Sequence, residues 1–210
     1  MSDEPRSEPI VKAPLVAVLL TLALPALYWL QLRMPDGGAA LAFSPARFWQ
    51  GDPRGLVSAI FLHGGWSHVI MNAVGLLAFG APVARLLRGP TGALGFLAFF
   101  IVCGVIGSIG YAFANPAGVG AWGASGGVFG LIGGALRMAT PRGPILPLTD
   151  RRVLIQAGAW AAISVFVGVI GLGAGGTGAG IAWEAHLAGL AAGLLLVGPF
   201  VRLFPDRRGI

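Results

Sequence analysis

The sequence predicts an all-α polytopic membrane protein, a single bundle of six transmembrane helices. Charged residues make up only 10% of the 210 residues, whereas hydrophobic residues make up 56%. A water-soluble domain carries about 25% charged residues, so lipid must cover much of this chain. Its apolar stretches are about as long as a spanning helix, roughly 20 residues, and short polar segments separate them. The 35 glycines fit this class, because small residues let membrane helices approach closely.

The first apolar stretch is predicted to be a retained transmembrane helix at residues 13–32, after a polar cytosolic tail at residues 1–12. A cleaved signal peptide is the alternative. The apolar run is as long as a spanning helix, and no clear small-x-small cleavage site follows it. A retained helix is therefore favoured.

A mixed loop at residues 33–55 follows and is predicted to lie at the depth of the lipid headgroups, with Trp49 as an anchor. The next apolar stretch has two glycines and two histidines near its start, so its helix is predicted to begin only at about Trp66. The six spans are thus expected at residues 13–32, 66–84, 91–113, 124–138, 153–170 and 181–204, before a cytosolic tail at 205–210.

The distribution of positive charge predicts the orientation. Six spans place both termini on one side, and 11 of the 14 Lys and Arg residues lie in tails and loops of that side. By the positive-inside rule both termini are cytosolic. Lys12 is the single lysine among many arginines, which is typical of a GC-rich bacterial genome. The expected location is therefore a bacterial inner membrane, with the lipid bilayer as a partner.

Composition also argues against other partners and cofactors. The net charge of +6 is spread over the ends of apolar segments rather than gathered in one patch, so no nucleic-acid binding is predicted. Cys103 is the only cysteine, which rules out an intramolecular disulfide and a cysteine-based zinc cluster. No metal or cofactor is expected. The sequence does not indicate whether the protein is a monomer or an oligomer.

Five polar residues share one predicted depth near the outer membrane surface. They lie at or just before the starts of the even-numbered spans, all of which begin at the outer side: His63, His68, Asn72, Ser125 and His186. Ionisable groups within spans are costly and usually face a functional cavity. This clustering predicts a polar site below the outer surface.

Ser125 is the candidate nucleophile and His186 its candidate base. A serine in the run Gly-Ala-Ser-Gly at a helix start could instead be a simple N-cap. The helix start also suits a nucleophile, because its free N–H groups and positive dipole end stabilise an oxyanion. For His186 the alternatives are metal binding and proton relay. Neither motif by itself establishes a catalytic role for its residue.

Glycines spaced four apart on the fourth and sixth spans predict that the two helices pack closely. Such faces would bring Ser125 next to His186, although plain helix packing explains the glycines equally well. The packing residues are Gly126, Gly130, Gly134, Gly189 and Gly193. Glu184 lies on another helix face from His186, so a dyad rather than a triad is expected. His68 and Asn72, one turn apart, are candidate oxyanion donors; the alternative is a buried polar pair joining helices.

Together these segments resemble the rhomboid family of intramembrane serine proteases. The matching runs are His-Gly-Gly-Trp-Ser-His-Val-Ile-Met-Asn at 63–72, Gly-Ala-Ser-Gly at 123–126 and Ala-His-Leu-Ala-Gly at 185–189. The resemblance implies a compact six-helix bundle with a cavity opening outwards, in a minimal bacterial form. It also implies that Ser125 attacks the scissile carbonyl, that His186 shuttles the proton, and that His68, Asn72 and the Ser125 amide hold the oxyanion. His63 and Gly123 would then belong to the active site.

The sequence departs from the family pattern at two places. Phe129 stands where many members have a tyrosine packed on the catalytic histidine, so it can pack there but offers no hydroxyl. The Trp-Arg pair common in the first loop is replaced by Trp49-Gln50 and a separate Arg54-Gly55, which leaves the anchoring of that loop open.

The resulting prediction is a serine endopeptidase that cleaves transmembrane segments of membrane proteins near the outer face through an acyl-enzyme. A helical substrate must unwind first, because its carbonyls are held in hydrogen bonds. The fifth span and the glycine-rich residues 171–180 are candidates for the substrate gate. The alternatives are a catalytically inactive relative that binds membrane clients and a small transporter, which would instead place polar groups at the midplane and show internal repeats.

Overall fold

The computed structural model describes residues 13–87, 91–118, 120–140, 144–170 and 181–204. Over these residues the chain forms seven α-helices and two short 3-10 turns. The helices are α1 (Leu15–Gln31), α2 (Pro45–Trp49), α3 (Trp66–Leu86, with a π-helical segment at Leu76–Gly80), α4 (Gly92–Ala114), α5 (Ser125–Leu136), α6 (Arg151–Val169) and α7 (Trp183–Leu203). Both predicted tails and the predicted joint at 171–180 lie outside the described residues.

Six of these helices are apolar and lie where the sequence predicts the six spans. By length and composition α3, α4, α6 and α7 are each able to cross a membrane. Helices α1 and α5 are equally apolar but shorter, at 17 and 12 residues. The described residues contain no strand beyond two isolated bridges. The prediction of an all-α polytopic membrane protein is therefore confirmed.

Helix α5 lies at the centre of the bundle and packs against both α4 and α7. Eight of its twelve residues are buried, five of them glycines. A β-carbon on Gly189 would collide with the carbonyl oxygen of Gly126, and one on Gly193 would collide with that of Gly130. Backbone therefore meets backbone along α5 and α7, as the glycine spacing predicts. This contact fixes the register between the helix that starts at Ser125 and the helix that carries His186.

The substitution Gly193→Ala tests this close packing. The new methyl group would have to displace the backbone of α5, so we expect a loss of about 1–3 kcal/mol of stability, as for other overpacked sites. The measurement is the thermal unfolding midpoint of the purified protein in detergent. Gly158→Ala on α6 is the matched control, because nothing lies within 4 Å of its added β-carbon. Equal midpoints for the two variants would contradict the packing described here.

The first loop is anchored by contacts other than a Trp-Arg pair. The indole of Trp49 donates a hydrogen bond to the carbonyl of Ala112 on α4, at 3.1 Å, and the Arg47 guanidinium donates to the carbonyl of Ala42. Arg54 instead binds Asp52 on the exposed surface. Its hydrogen bond lowers the pKa of Asp52 to about 2. Trp49 therefore anchors this loop to the C-terminal end of α4.

Helix α6 is the most peripheral of the long helices. Only Val153 and Ser164 are buried among its nineteen residues. Trp160 attaches it to the bundle through edge-to-face contacts with Phe79 on α3 and Phe129 on α5. The remaining large apolar side chains of α6 face outwards, as lipid-facing residues do. The hypothesis that this helix admits substrate stays a prediction.

Candidate active site

Ser125 is the first residue of α5 and is half-buried at the edge of a cleft. The preceding turn depends on Gly123, whose φ of +136° disfavours any side chain and whose N–H donates to the carbonyl of Ala59 at 2.8 Å. The cleft is small and is lined mostly by small residues from α4, the 121–126 segment and the start of α7: Ala59, Gly104, Ser108, Tyr111, Ala121, Trp122, Gly123, Ser125, Gly126, Ala182 and Ala185.

His186 lies in the first turns of α7, and only 9% of its surface is exposed. Its ring stacks on Phe129 of α5 with centroids 4.3 Å apart and an angle of 7° between the planes. Its Nδ1 forms a 2.9 Å hydrogen bond with the hydroxyl of Ser164 on α6. The imidazole is thus held from two sides, with Nε2 as its remaining ring nitrogen.

The structure brings the segments of Ser125 and His186 together. A β-carbon on Gly107 of α4 would lie 2.9 Å from the carbonyl oxygen of Ala185 and 3.1 Å from Cα of Gly126. The immediate neighbours of the two candidate residues therefore meet at one point of α4. Among the described residues Ser125 Oγ forms no hydrogen bond with His186. Catalytic hydrogen bonds are often long or poorly aligned before substrate binds.

His68 approaches Ser125 from α3. A β-carbon on Gly123 would lie 2.8 Å from His68 Nε2 and 3.8 Å from Ser125 Oγ, so only glycine leaves room between them. The N–H of Gly64 donates to His68 Nδ1 over a long 3.5 Å contact. In the neutral tautomer that accepts this contact at Nδ1, Nε2 carries the proton and would offer a donor on the Ser125 side.

Asn72 lies one turn below His68 and is only 4% exposed. Its Nδ2 has no hydrogen-bond partner among the described residues. An unsatisfied buried donor costs about 1–3 kcal/mol. The Nδ2 amide of Asn72 can therefore donate a hydrogen bond to a bound group.

His63 is buried beside His68, and its predicted place in the active site stays a prediction. It is 1% exposed. Its backbone N–H donates to Oε1 of Gln31 on α1, and Nε2 of Gln31 donates to the His63 carbonyl. Its ring packs edge-on against His68 with centroids 5.1 Å apart. The buried ring of His63 therefore packs against the ring of His68.

Glu184 is engaged away from the imidazole, since it accepts a 3.1 Å hydrogen bond from the side chain of Asn115. No three His, Cys, Asp or Glu side chains converge into a possible metal site within the part of the chain that the structure describes. Sequence reasoning missed Ser164. The available signal was its position as the one serine within the predicted fifth span.

Comparison with known proteins agrees with this architecture. Residues 46–203 match the Rhomboid domain. The chain is 29% identical over 189 residues to the "Putative rhomboid protease YdcA" of Bacillus subtilis (strain 168), covering 85% of each chain. It is 34% identical over 142 residues to "Rhomboid-like protease 5" of Toxoplasma gondii, covering 67% of this chain and 15% of that one. The chain is a multi-pass membrane protein and belongs to the rhomboid family.

Proposed function

We propose that this protein is an intramembrane serine endopeptidase that uses Ser125 as nucleophile and His186 as general base. The observation that carries the proposal is the position of Ser125. Its hydroxyl lies at the start of the central helix and at the edge of a cleft, with His68 on one side. The segment bearing His186 packs against the residue that follows it. Acyl transfer needs a nucleophile, a base and oxyanion donors close to one point, and these positions support that assignment.

The proposed reaction proceeds through an acyl-enzyme. Ser125 Oγ attacks the scissile carbonyl as its proton moves to Nε2 of His186. The tetrahedral intermediate collapses when its C–N bond breaks, and the imidazolium gives its proton to the leaving amine. A water molecule, deprotonated by His186, then hydrolyses the ester and regenerates Ser125.

The oxyanion is proposed to bind between α3 and the start of α5. The Ser125 amide is one of the free N–H groups at the start of α5, where the helix dipole favours negative charge. Nε2–H of His68 and Nδ2 of Asn72 would supply the side-chain donors. The unmet hydrogen-bonding capacity of Asn72 supports this assignment.

Removing the Asn72 donor should slow catalysis without impairing substrate binding. We expect Asn72→Ala to lower kcat about 10²–10³-fold, the usual cost of losing one oxyanion donor, with little change in KM. Steady-state kinetics on a single-span substrate measures both constants. Met71→Ala, at an exposed position of the same helix, is the control. A kcat for Asn72→Ala within a factor of two of wild type would exclude Asn72 from the oxyanion site.

The proposed substrates are transmembrane segments of other membrane proteins, cut near their outer ends. Alanine and glycine contribute seven of the eleven residues of the cleft beside Ser125, which suits a small substrate side chain. The substrate segment must be locally unwound, because helical carbonyls are already hydrogen-bonded. Small and helix-destabilising residues at the cleavage site meet both requirements.

We further propose that both termini are cytosolic and that the protein lies in a bacterial inner membrane. Eleven of the 14 basic residues support this orientation through the positive-inside rule. The starts of α3, α5 and α7, which carry the candidate residues, then lie near the outer face. Cleavage is therefore expected near the outer end of the substrate span.

Incubating the detergent-solubilised protein with a panel of single-span membrane proteins tests the proposed activity. We expect cuts within or next to the outer third of the spans, mapped by mass spectrometry, at small residues. Binding without any cleavage would favour the inactive client-binding alternative. Failure both to bind and to cut any member of a broad panel would contradict the protease proposal.

A further inference from the structure

We propose that Ser164 of α6 is a positioning residue that sets the tautomer and orientation of His186. This inference rests on the proposed function. It adds Ser164 to the Ser125–His186 dyad as a third residue, which contacts the imidazole through its hydroxyl. Its basis is the 2.9 Å hydrogen bond between Ser164 Oγ and His186 Nδ1, formed between two buried side chains.

The location of Ser164 makes a purely incidental contact implausible. Helix α6 is peripheral, and Ser164 is the only polar side chain among its buried residues. It is 3% exposed, so little of it faces solvent. A buried hydroxyl without a partner is costly, so the bond to His186 satisfies the hydroxyl as well as the ring.

The stack on Phe129 cannot by itself orient the imidazole. Two parallel rings fix the plane of His186, but a half-turn about its Cβ–Cγ bond leaves that plane unchanged. The half-turn would exchange Nδ1 for a carbon and move Nε2 away from the reacting side. A hydroxyl beside Nδ1 distinguishes the two orientations, because only one of them makes a hydrogen bond.

A serine hydroxyl can donate or accept, and in the proposed reaction Ser164 accepts from Nδ1 of His186. When Ser164 accepts from Nδ1–H, Nε2 is left unprotonated and can take the proton of Ser125. After that transfer both ring nitrogens carry protons, and Ser164 still accepts from Nδ1–H. The contact is therefore retained in the charged intermediate, where a hydrogen bond from a charged donor is stronger. A carboxylate has this role in catalytic triads; here a neutral hydroxyl would perform it.

A pair of variants with the same shape tests the hydroxyl directly. Ser164→Thr keeps the hydroxyl and adds a methyl group. Ser164→Val has the shape of the threonine variant, with a methyl group in place of the hydroxyl. We expect Ser164→Thr to retain near wild-type kcat, and Ser164→Val to lose about tenfold in kcat with unchanged KM, as for one hydrogen bond. Ile163→Ala, at an exposed position of the same helix, should match wild type.

Nitrogen-15 NMR of histidine-labelled protein supplies a readout that packing alone would not change. The chain has three histidines, so the His186 signals can be assigned by their loss in His186→Gln. We expect Nδ1 of neutral His186 to be protonated in wild type and in Ser164→Thr, and the two tautomers to be mixed in Ser164→Val.

Wild-type kcat and an unchanged tautomer in Ser164→Val would overturn the proposal. Equal losses in the threonine and valine variants would also overturn it, since shape rather than the hydroxyl would then be responsible. In either case, loss of cleavage in Ser125→Ala leaves the proposed function standing. Retained cleavage in Ser125→Ala would instead contradict the proposed Ser125–His186 dyad, independently of the result for Ser164.

Discussion

Replacing Ser125 by alanine should abolish cleavage of every membrane substrate while leaving the bundle folded. Alanine keeps the helix start and the close contact between α5 and α7, so only the nucleophilic oxygen is lost. In a serine protease, loss of the nucleophile lowers kcat by about 10⁶-fold, which is below detection in a detergent assay. The measurement is the rate of product formation on a substrate that the wild-type protein cuts.

Ser67→Ala is the matched control for this variant. It removes the same atom from an exposed serine in the first turn of α3, and its activity should equal that of wild type. The two variants should also share one unfolding midpoint. Product formed by Ser125→Ala at more than about a hundredth of the wild-type rate would assign the nucleophile to another residue, because residual catalysis without it is far smaller.

Replacing His186 by alanine should have nearly as large an effect on kcat. Without the imidazole we expect Ser125 to lack a base, because Glu184 accepts a hydrogen bond from Asn115 and His68 is the proposed oxyanion donor. Residues that act as one unit are not additive, so the double variant Ser125→Ala/His186→Ala should be no slower than either single variant. Steady-state rates of the three variants on one substrate make this comparison.

Leu195→Ala is the control for His186→Ala, because it truncates an exposed side chain on the same helix. It should retain activity. If His186→Ala failed to fold, its loss of activity would not report on catalysis. His186→Gln, which keeps a polar side chain of similar length, is therefore measured alongside. Substantial cleavage by both His186 variants would require a different base.

The fold was predictable because membrane helices leave a strong pattern in sequence. The limit of about 20 apolar residues per span and the polar joints between spans fix the number of helices, and the glycine rows of α5 and α7 predict their contact. The predicted start of the second span at Trp66 coincides with the observed start of α3. These features depend on local residue order, which the sequence contains directly.

The sequence predicts which residues belong to the candidate site but not which neighbours orient them. The common depth of Ser125, His186, His68 and Asn72 follows from their positions at the starts of even spans. The partners that orient them do not follow from local order, because Ser164 meets His186 across 22 residues and Gln31 meets His63 across 32. A serine in an apolar span has the same local signature whether it bonds its own backbone or a distant ring. The ring contact between His63 and His68 is likewise not readable from local order.

The central claim is that Ser125 is an activated nucleophile, and mapping a covalent adduct tests it most directly. Purified protein is treated with a fluorophosphonate, digested and sequenced by mass spectrometry. We expect one adduct, on Oγ of Ser125, that forms at a much lower rate in His186→Ala. An adduct on another residue, or labelling of Ser125→Ala equal to that of wild type, would contradict the claim.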